Sequence, residues 1–382
     1  MKVVVAIDSF KGSMTSLQAG SAVKEGILRA VPSADVVVRP LADGGEGTVD
    51  ALVEGLGGEK LTARVNGPLQ KPVECAYGIL PDKGLSIMEM AACCGLTLIP
   101  PEQRNPLHTT TYGLGELILH AMDRGCRDFL IGIGGSATND SGLGMLAALG
   151  FRFYTQSGQS AGITGGALKT VERIDVVKAD PRLKECRFRV ACDVNNPLYG
   201  PQGAAYVYAP QKGASPEIVK ELDEGLQHFA AVCSRALNTE FHHTPGAGAA
   251  GGLGYAFAAF LNAELTPGVE LVLDAIRLED DLKDADYAAT GEGRMDSQTA
   301  MGKAPIGVAK LAKQHGAATI AFAGATADDA AEVNNHGIDA YFAIPQGPLT
   351  LNEAMEFTRA FKNLSSRAEQ VFRVVSIKRQ TI

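Results

Sequence analysis

The stretch KVVVAIDSFKGSMTSLQAGSAVKEGILRAVPSADVVV, residues 2–38, decides the fold class of this chain. Its apolar run VVVAI predicts a short buried strand, and residues 36–38 predict a second one. Between them, residues 15–31 place apolar side chains on one helical face, and Thr15 and Gln18 have the spacing of a capping box. A strand, a helix and a second strand in this order predict a parallel βαβ unit.

The same alternation of strand and helix returns near the C-terminus. Strands and helices alternate in the predicted segments 286–290, 305–315, 318–323, 328–336, 338–344 and 351–372. The middle of the chain is less regular, and its predicted elements include a strand at 188–194 and helices at 216–237 and 254–263. We therefore predict an α/β protein of two domains.

One predicted domain is a Rossmann- or flavodoxin-like parallel sheet built from both termini, and the other is an inserted mixed α/β domain. The predicted boundaries are 1–60 and 285–382, with parts of 95–150, for the first domain, and 61–94 and 151–284 for the second. An active-site cleft is expected between them.

The composition excludes several classes of protein. The 382 residues are 46% hydrophobic and carry a net charge of −8 without long basic runs, so neither a disordered chain nor a nucleic-acid-binding protein is expected. The longest uncharged stretch, 241–263, contains five glycines and a proline and predicts no membrane span. The first apolar run is too short for a signal peptide, and the seven cysteines form no CxxC pair, so we expect a cytoplasmic protein with structural thiols.

Four loops combine glycines with polar side chains. Their sequences are DSFKGS at 8–13, DGGEGT at 43–48, GGSATND at 134–140 and GEGRMDS at 291–297. Ligands of parallel sheets bind at the carboxyl ends of strands, where helix N-termini attract anions and carboxylates can hold a cation or a proton. The four loops together predict a site for a small anion, or for phosphate with a divalent cation.

Three further segments each allow two interpretations. Asp193 follows a predicted strand and is either a base or the cap of a turn. Lys212, in a neutral stretch, either neutralises phosphate or is solvated. The GAGAAGG loop, residues 246–252, either lets the backbone approach a phosphate or serves close packing.

The standard nucleotide motifs do not explain these loops. The chain has no Walker A sequence, since Gly302-Lys303 lacks the rest of that motif, and it has no protein-kinase HRD or DFG motif and no GxSxG elbow. A dinucleotide-like GxGxxA at 132–137 lacks the acid that should follow about 20 residues later. An NADP-dependent oxidoreductase of a small hydroxy acid and a non-catalytic small-acid sensor remain alternatives.

Read in order, the blocks VVAIDSFKGS, PLADGGEGTVDAL, GIGGSATNDSG, CDVNNPLYG, YAPQKGAS and TGEGRMDSQTAMGKAP resemble the type 1 glycerate kinase family. The resemblance runs essentially end to end, and Ser141 stands where we expect glycine. It implies a two-domain α/β fold and ATP-dependent phosphorylation of D-glycerate, with 2-phosphoglycerate as the favoured product. The expected partners are D-glycerate and ATP, with no nucleic acid or membrane, and the expected state is a monomer or homodimer.

The chemistry of phosphoryl transfer gives the polar residues their predicted roles. The predicted catalytic residues are Asp193, as base on the glycerate hydroxyl, Asp296 and Lys11. The predicted substrate-binding residues are Asp8, Ser9, Asp43, Ser136, Thr138 and Asn139. The predicted nucleotide or phosphate contacts are Gly134, Gly135, Lys212, Gly248, Gly251, Gly252 and Lys303. The predicted Mg²⁺ ligands are Asp296, Glu292 and Glu46.

Overall fold

The computed structural model describes residues 1–377. Its strands are β1 (Lys2–Ile7), β2 (Asp35–Pro40), β3 (Glu59–Asn66), β4 (Pro72–Leu80), β5 (Leu85–Glu89), β6 (Asp128–Gly132), β7 (Arg152–Tyr154), β8 (Arg173–Asp175), β9 (Arg187–Ala191), β10 (Glu264–Thr266), β11 (Tyr287–Met295), β12 (Ala318–Thr326) and β13 (Ala340–Ala343). Its α-helices are α1 (Ser16–Ala30), α2 (Thr48–Leu56), α3 (Ala91–Cys94), α4 (Tyr112–Asp123), α5 (Leu143–Ala148), α6 (Ala204–Tyr208), α7 (Pro216–Leu237), α8 (Ala249–Leu261), α9 (Gly268–Ala275), α10 (Leu278–Leu282), α11 (Ser297–Ala300), α12 (Ala304–Gln314), α13 (Leu351–Met355) and α14 (Phe357–Val375).

The chain divides into two compact units. Unit 1 comprises Met1–Gly57 and the chain from Val269 onward, and unit 2 comprises Gly58–Gly268. The residues between 95 and 150 that were expected in the terminal domain lie in unit 2, because β6 pairs with β5 and β9 there. Unit 1 resumes at Val269 rather than at 285, since α12 packs closely on α9: a Cβ on Gly307 would lie 2.5 Å from a Val269 methyl.

Unit 1 contains a five-stranded parallel sheet in the order β13-β12-β11-β1-β2. Counted along this unit, the strands lie in the flavodoxin-like order 2-1-3-4-5, so the predicted parallel-sheet fold is confirmed. The strand order reverses between β1 and β11, and ligands of such sheets bind at that position. Apolar side chains of β1 pack with those of α1 and α14 in one buried cluster.

Local signals predicted α1 well, and three other segments of unit 1 differ from the prediction. Thr15 and Gln18 form the expected capping box. The predicted helix at 328–336 is instead a 3₁₀ segment, Ala330–His336. The predicted helix at 351–372 is divided because Glu356 is extended and its carboxylate caps α14. The GEGRM segment, expected as a loop, continues β11 because it pairs with β12.

Unit 2 contains a six-stranded mixed sheet in the order β10-β9-β6-β5-β4-β3. The four strands from β10 to β5 are parallel, and β4 and β3 are antiparallel, which confirms the inserted mixed α/β domain. Phe129 and Phe188 stack in its core with ring centroids 4.9 Å apart. The strand predicted at 188–194 ends at Ala191.

Among residues 1–377, no helix has the length and apolar character needed to cross a membrane.

Candidate active site

Three carboxylates of unit 1 lie where its strand order reverses. Asp8 directly follows β1, and its N–H donates to the carbonyl of Gly291 at 3.0 Å, which places it beside Glu292 on β11. Asp43 follows the adjacent strand β2, and its Oδ1 accepts from the N–H of Gly45 at 2.9 Å. The sheet therefore brings together acids that lie up to 284 positions apart in the sequence.

Burial dominates the electrostatics of this carboxylate group. The pKa of Asp8 is raised to about 7, chiefly by burial and in addition by the negative charges of Asp43 and Glu292. The N–H of Ser9, 2.6 Å from Oδ1, and the charge of Lys11 act in the opposite direction. Because neighbouring carboxylates disfavour a negative charge on Asp8, a bound cation would relieve their repulsion.

Glu292 is the most enclosed member of the group. Burial raises its pKa, while a hydrogen bond with Thr299 and the charge of Lys303 lower it. Lys303 Nζ lies 3.7 Å from Glu292 Oε2. The other oxygen, Oε1, is buried and has no hydrogen-bond partner among the described residues, 1–377. A buried carboxylate oxygen of this kind is costly unless something binds it.

This donor set fits Mg²⁺ in the way that phosphate-transfer enzymes hold it. Within residues 1–377, no three acidic, histidine or cysteine side chains are grouped closely enough to enclose a metal. Mg²⁺ needs no such cage, because it is commonly bound by one or two carboxylates together with water and substrate phosphates. The buried orphan oxygen of Glu292, beside Asp8, meets that requirement.

The remaining predicted residues of unit 1 surround this group unequally. Lys11 is exposed and Ser9 is half-buried, both directly after Asp8, and Glu46 is exposed on the loop after Asp43. Asp296 caps α11, where its Oδ1 accepts from the N–H of Gln298 at 3.0 Å. The catalytic and metal-binding roles predicted for these residues stay predictions.

In unit 2, the GGSATND loop follows β6 at the carboxyl edge of the sheet. Its tip, Gly134-Gly135, is exposed, and Gly135 has a φ of +71°, which favours glycine. Behind the tip, Lys212 is only 2% exposed, and its Nζ donates to Ser136 Oγ and to the Thr138 carbonyl, each at 2.7 Å. The alternative of a solvated lysine is therefore wrong, and Lys212 holds the loop from inside the unit.

Asp140 fastens the other end of the same loop, and the sequence analysis missed it. Its Oδ2 accepts from the N–H and the hydroxyl of Thr111, both at 2.8 Å, and from the N–H of Gly144 at 3.2 Å. Around these two anchors, the part of the chain that the structure describes offers no hydrogen-bond partner to four buried groups: Thr138 Oγ1, the two amide atoms of Asn139 and Ser141 Oγ. The acid beside Asn139 was the available signal, but nothing local marks it as buried.

The second glycine loop of unit 2 packs against the first. Ala250, Gly251 and Gly252 are all left-handed, and a Cβ on Gly251 would lie 2.1 Å from the Thr138 carbonyl. A Cβ on Gly248 would lie 2.2 Å from the carbonyl of Pro197. These buried glycines match the close-packing interpretation, and the phosphate contacts predicted for them stay a prediction.

Asp193 lies just beyond β9 and is exposed. Its Oδ1 accepts from the N–H of Gly268 at 2.8 Å, at the start of α9. The carboxylate thus contacts the start of α9, 75 positions along the chain, which differs from the cap of a local turn. Its role as base stays a prediction.

Comparison with known proteins places this arrangement in a family. A profile of the glycerate kinase family matches residues 3–376. The chain is 51% identical to a glycerate kinase of Halalkalibacterium halodurans, with 93% of each chain covered, and 46% identical to the glycerate 2-kinase of Escherichia coli K12, with 99% and 98% covered. The chain belongs to the glycerate kinase family.

A solved structure supports the same membership. A crystal structure of a candidate glycerate kinase 2 from Salmonella typhimurium LT2 is similar to this family member, with a TM-score of 0.90, 44% identity and 98% of each chain covered. The resemblance to glycerate kinases and the two-domain α/β fold expected from the sequence are therefore confirmed. These two relatives are named as a glycerate kinase and a glycerate 2-kinase, and kinases are phosphotransferases, so this family member is assigned to that enzyme class.

Proposed function

We propose that this glycerate kinase family member transfers the γ-phosphoryl group of ATP to D-glycerate and forms 2-phosphoglycerate. The observation that carries the proposal is the group of Asp8, Asp43 and Glu292 at the switch position of a flavodoxin-like sheet. The glycerate 2-kinase of E. coli, 46% identical over nearly the whole chain, supports the choice of substrate and product. Because ATP is the phosphoryl donor, we expect the protein to act in the cytoplasm.

In unit 1, Glu292 and Asp8 would hold Mg²⁺ together with water and phosphate oxygens. Asp43 would add negative charge beside the ion, and Lys11 and Lys303 would contact phosphate oxygens. The bound ion would supply charge neutralisation to the phosphates during transfer. Glu292 Oε1 would gain the partner that it lacks among residues 1–377. Lys303 Nζ lies 3.7 Å from Glu292, beside the anionic group. Glu46 and Asp296 remain outer candidates for the same cation.

In unit 2, the exposed Gly134-Gly135 turn and Ser136 would bind glycerate. Small residues at the tip leave room for the substrate, since a Cβ on Gly134 would meet no atom within 4 Å. Thr138 and Asn139, fully buried, shape the loop from below. Asp193, exposed after β9, would orient the hydroxyl that attacks phosphorus.

The test is an assay of ADP release from ATP with D-glycerate. We expect turnover that EDTA abolishes and added Mg²⁺ restores. Coupling to enolase, without a phosphoglycerate mutase, should give phosphoenolpyruvate, because enolase acts on the 2-phosphate. Turnover without the metal, absence of turnover with D-glycerate, or NADP-linked oxidation of glycerate would overturn the proposal.

A further inference from the structure

The hydrogen bonds of Lys212 connect its buried amine to the surface through one group that can pass on a proton, the hydroxyl of Ser136. Nζ lies 2.7 Å from the Thr138 carbonyl and 2.7 Å from Ser136 Oγ, and the side chain is 2% exposed. A carbonyl oxygen can only accept a hydrogen bond, whereas a hydroxyl both accepts and donates. Ser136 is 9% exposed and adjoins the open Gly134-Gly135 tip. Through these contacts, a proton that reaches Nζ from a ligand passes through the Ser136 hydroxyl.

We propose that Ser136 and Lys212 form a proton relay that takes the proton of the glycerate hydroxyl during phosphoryl transfer. The inference rests on the proposed function, and it assigns proton acceptance to this pair instead of to Asp193. Asp193 then orients the hydroxyl. A serine hydroxyl paired with a lysine amine is an established arrangement for proton transfer in other enzymes.

The surroundings of the amine suit a base. Burial lowers the pKa of Lys212 to about 7, and the charge of Asp140, on the same loop, opposes that shift. Asp140 is the charged side chain that acts on the amine, and it is occupied by hydrogen bonds from Thr111, Gly142 and Gly144. An unprotonated amine therefore exists near neutral pH.

The step balances as follows. The glycerate hydroxyl gives its proton to Ser136 Oγ while its oxygen forms the new bond to phosphorus. Ser136 gives its own proton to Nζ, which becomes an ammonium group, and the bond from the γ-phosphorus to the ADP oxygen breaks. After the product leaves, the same path returns the proton to solvent.

The experiment compares kcat and KM on both sides of neutral pH for the wild type and for K212M, K212R, S136A and D193N. Lys220, exposed on α7, supplies the matched control K220M. We expect kcat to fall about 10²–10⁴-fold in K212M and S136A. The KM for glycerate should change little in K212M, whereas S136A, which also loses a contact to glycerate, should raise it. K212R should fall as far, because its guanidinium keeps the charge and cannot accept a proton. These variants should also lose the rise of kcat with pH that the wild type owes to Lys212.

Asp8 of unit 1 also has a pKa of about 7, so the difference between wild type and K212R is the readout, not the wild-type profile alone. Full activity in K212R would show that only the charge matters and would overturn the relay. If a folded K212M keeps the wild-type kcat and D193N loses activity instead, the relay is wrong and Asp193 is the base that accepts the proton. If K212M fails to fold, S136A decides. A wild type inactive on D-glycerate would reject the proposed function and the relay with it.

Discussion

The two carboxyl edges of this molecule are built in opposite ways. In unit 1, Asp8, Asp43 and Glu292 come from three neighbouring strands and concentrate negative charge. Among residues 1–377, the buried Oε1 of Glu292 has no hydrogen-bond partner. In unit 2, one loop is fixed from inside by Lys212 and Asp140, and its tip is open glycine. Concentrated carboxylate charge can bind a cation together with phosphates. A loop that is fixed from inside and open at its tip can bind a small substrate. The comparison predicts that substitutions in unit 1 change chemistry and that substitutions in the loop of unit 2 change stability as well.

The largest effect should come from the carboxylates of unit 1. D8N or E292Q keeps the size of the side chain and removes its charge, so kcat should fall by about 10²–10³-fold because the phosphates lose the group that neutralises them. The melting temperature should stay at or above that of the wild type, since each change removes a buried charge.

The control for this prediction is E54Q, at an exposed glutamate of α2 in the same unit, which should keep wild-type kcat. ADP release measures all three variants. A kcat near wild type in both D8N and E292Q would break the comparison, because the carboxylate group would then be structural.

The second effect is a loss of stability in unit 2. G251A should destabilise unit 2 by about 3–5 kcal/mol, because the new Cβ would lie 2.1 Å from the Thr138 carbonyl and the residue has a φ of +72°. G158A is the matched control: Gly158 is also left-handed, at +80°, but its Cβ would meet no atom within 4 Å. That control should lose only about 1 kcal/mol. Equal losses of melting temperature in both variants would show that backbone strain, not contact between the loops, sets the cost.

Local sequence patterns predicted most helices and strands. They did not predict which strands pair, because pairing depends on residues far apart in the chain. The Thr15–Gln18 capping box and the helix Pro216–Leu237 depend on neighbouring residues and were predicted closely. The alternation of strand and helix looks the same whichever sheet a strand joins, so β6 was expected in the wrong domain. The GEGRM segment became a strand only because β12 extends beside it.

The candidate site shows the same limit. The sequence does not distinguish a glycine that approaches a phosphate from a glycine that packs against another loop. Gly248, Gly251 and Gly252 were therefore predicted to contact phosphate, and the structure shows them packed closely against neighbouring backbone. The sequence identified Lys212 as charged but held no sign that folding would enclose it. Its hydrogen bond to Ser136 spans 76 positions of the chain, and only the assembled sheet determines that contact.

The third effect is a pH dependence that belongs to unit 2. Lys212 has a pKa of about 7 in the folded protein, against an ordinary value of 10.5, so the unfolded chain binds more protons between these values. The contribution of this group to stability should therefore rise as pH rises from about 7 to 10.5, by about 5 kcal/mol, and stay constant and unfavourable below 7.

K212M removes this dependence. The melting temperature of K212M minus that of the wild type should therefore be larger at pH 6 than at pH 9.5, because these two values lie on either side of the pKa of about 7. K220M, at the exposed lysine, should follow the wild type throughout. A constant difference between K212M and wild type across this range would show that Lys212 keeps an ordinary proton affinity, and the rigid loop would then carry a permanent buried charge.

The smallest effect should come from Ser141, in the loop of unit 2 at the position where the family resemblance led us to expect glycine. Its φ is +50°, its side chain is fully buried, and its hydroxyl has no hydrogen-bond partner. S141G relieves the left-handed strain and removes the buried hydroxyl, while the more flexible glycine makes the unfolded chain more favourable. The sum should stabilise unit 2 by about 1 kcal/mol, or roughly 2–4 °C in melting temperature.

S160G, at an exposed serine of the same unit whose φ is not positive, should instead lose a few tenths of a kcal/mol, because it gains flexibility without relieving strain. If S141G destabilises the protein while S160G does not, the hydroxyl of Ser141 contributes a stabilising contact, and the loop is more completely satisfied than its orphaned atoms indicate.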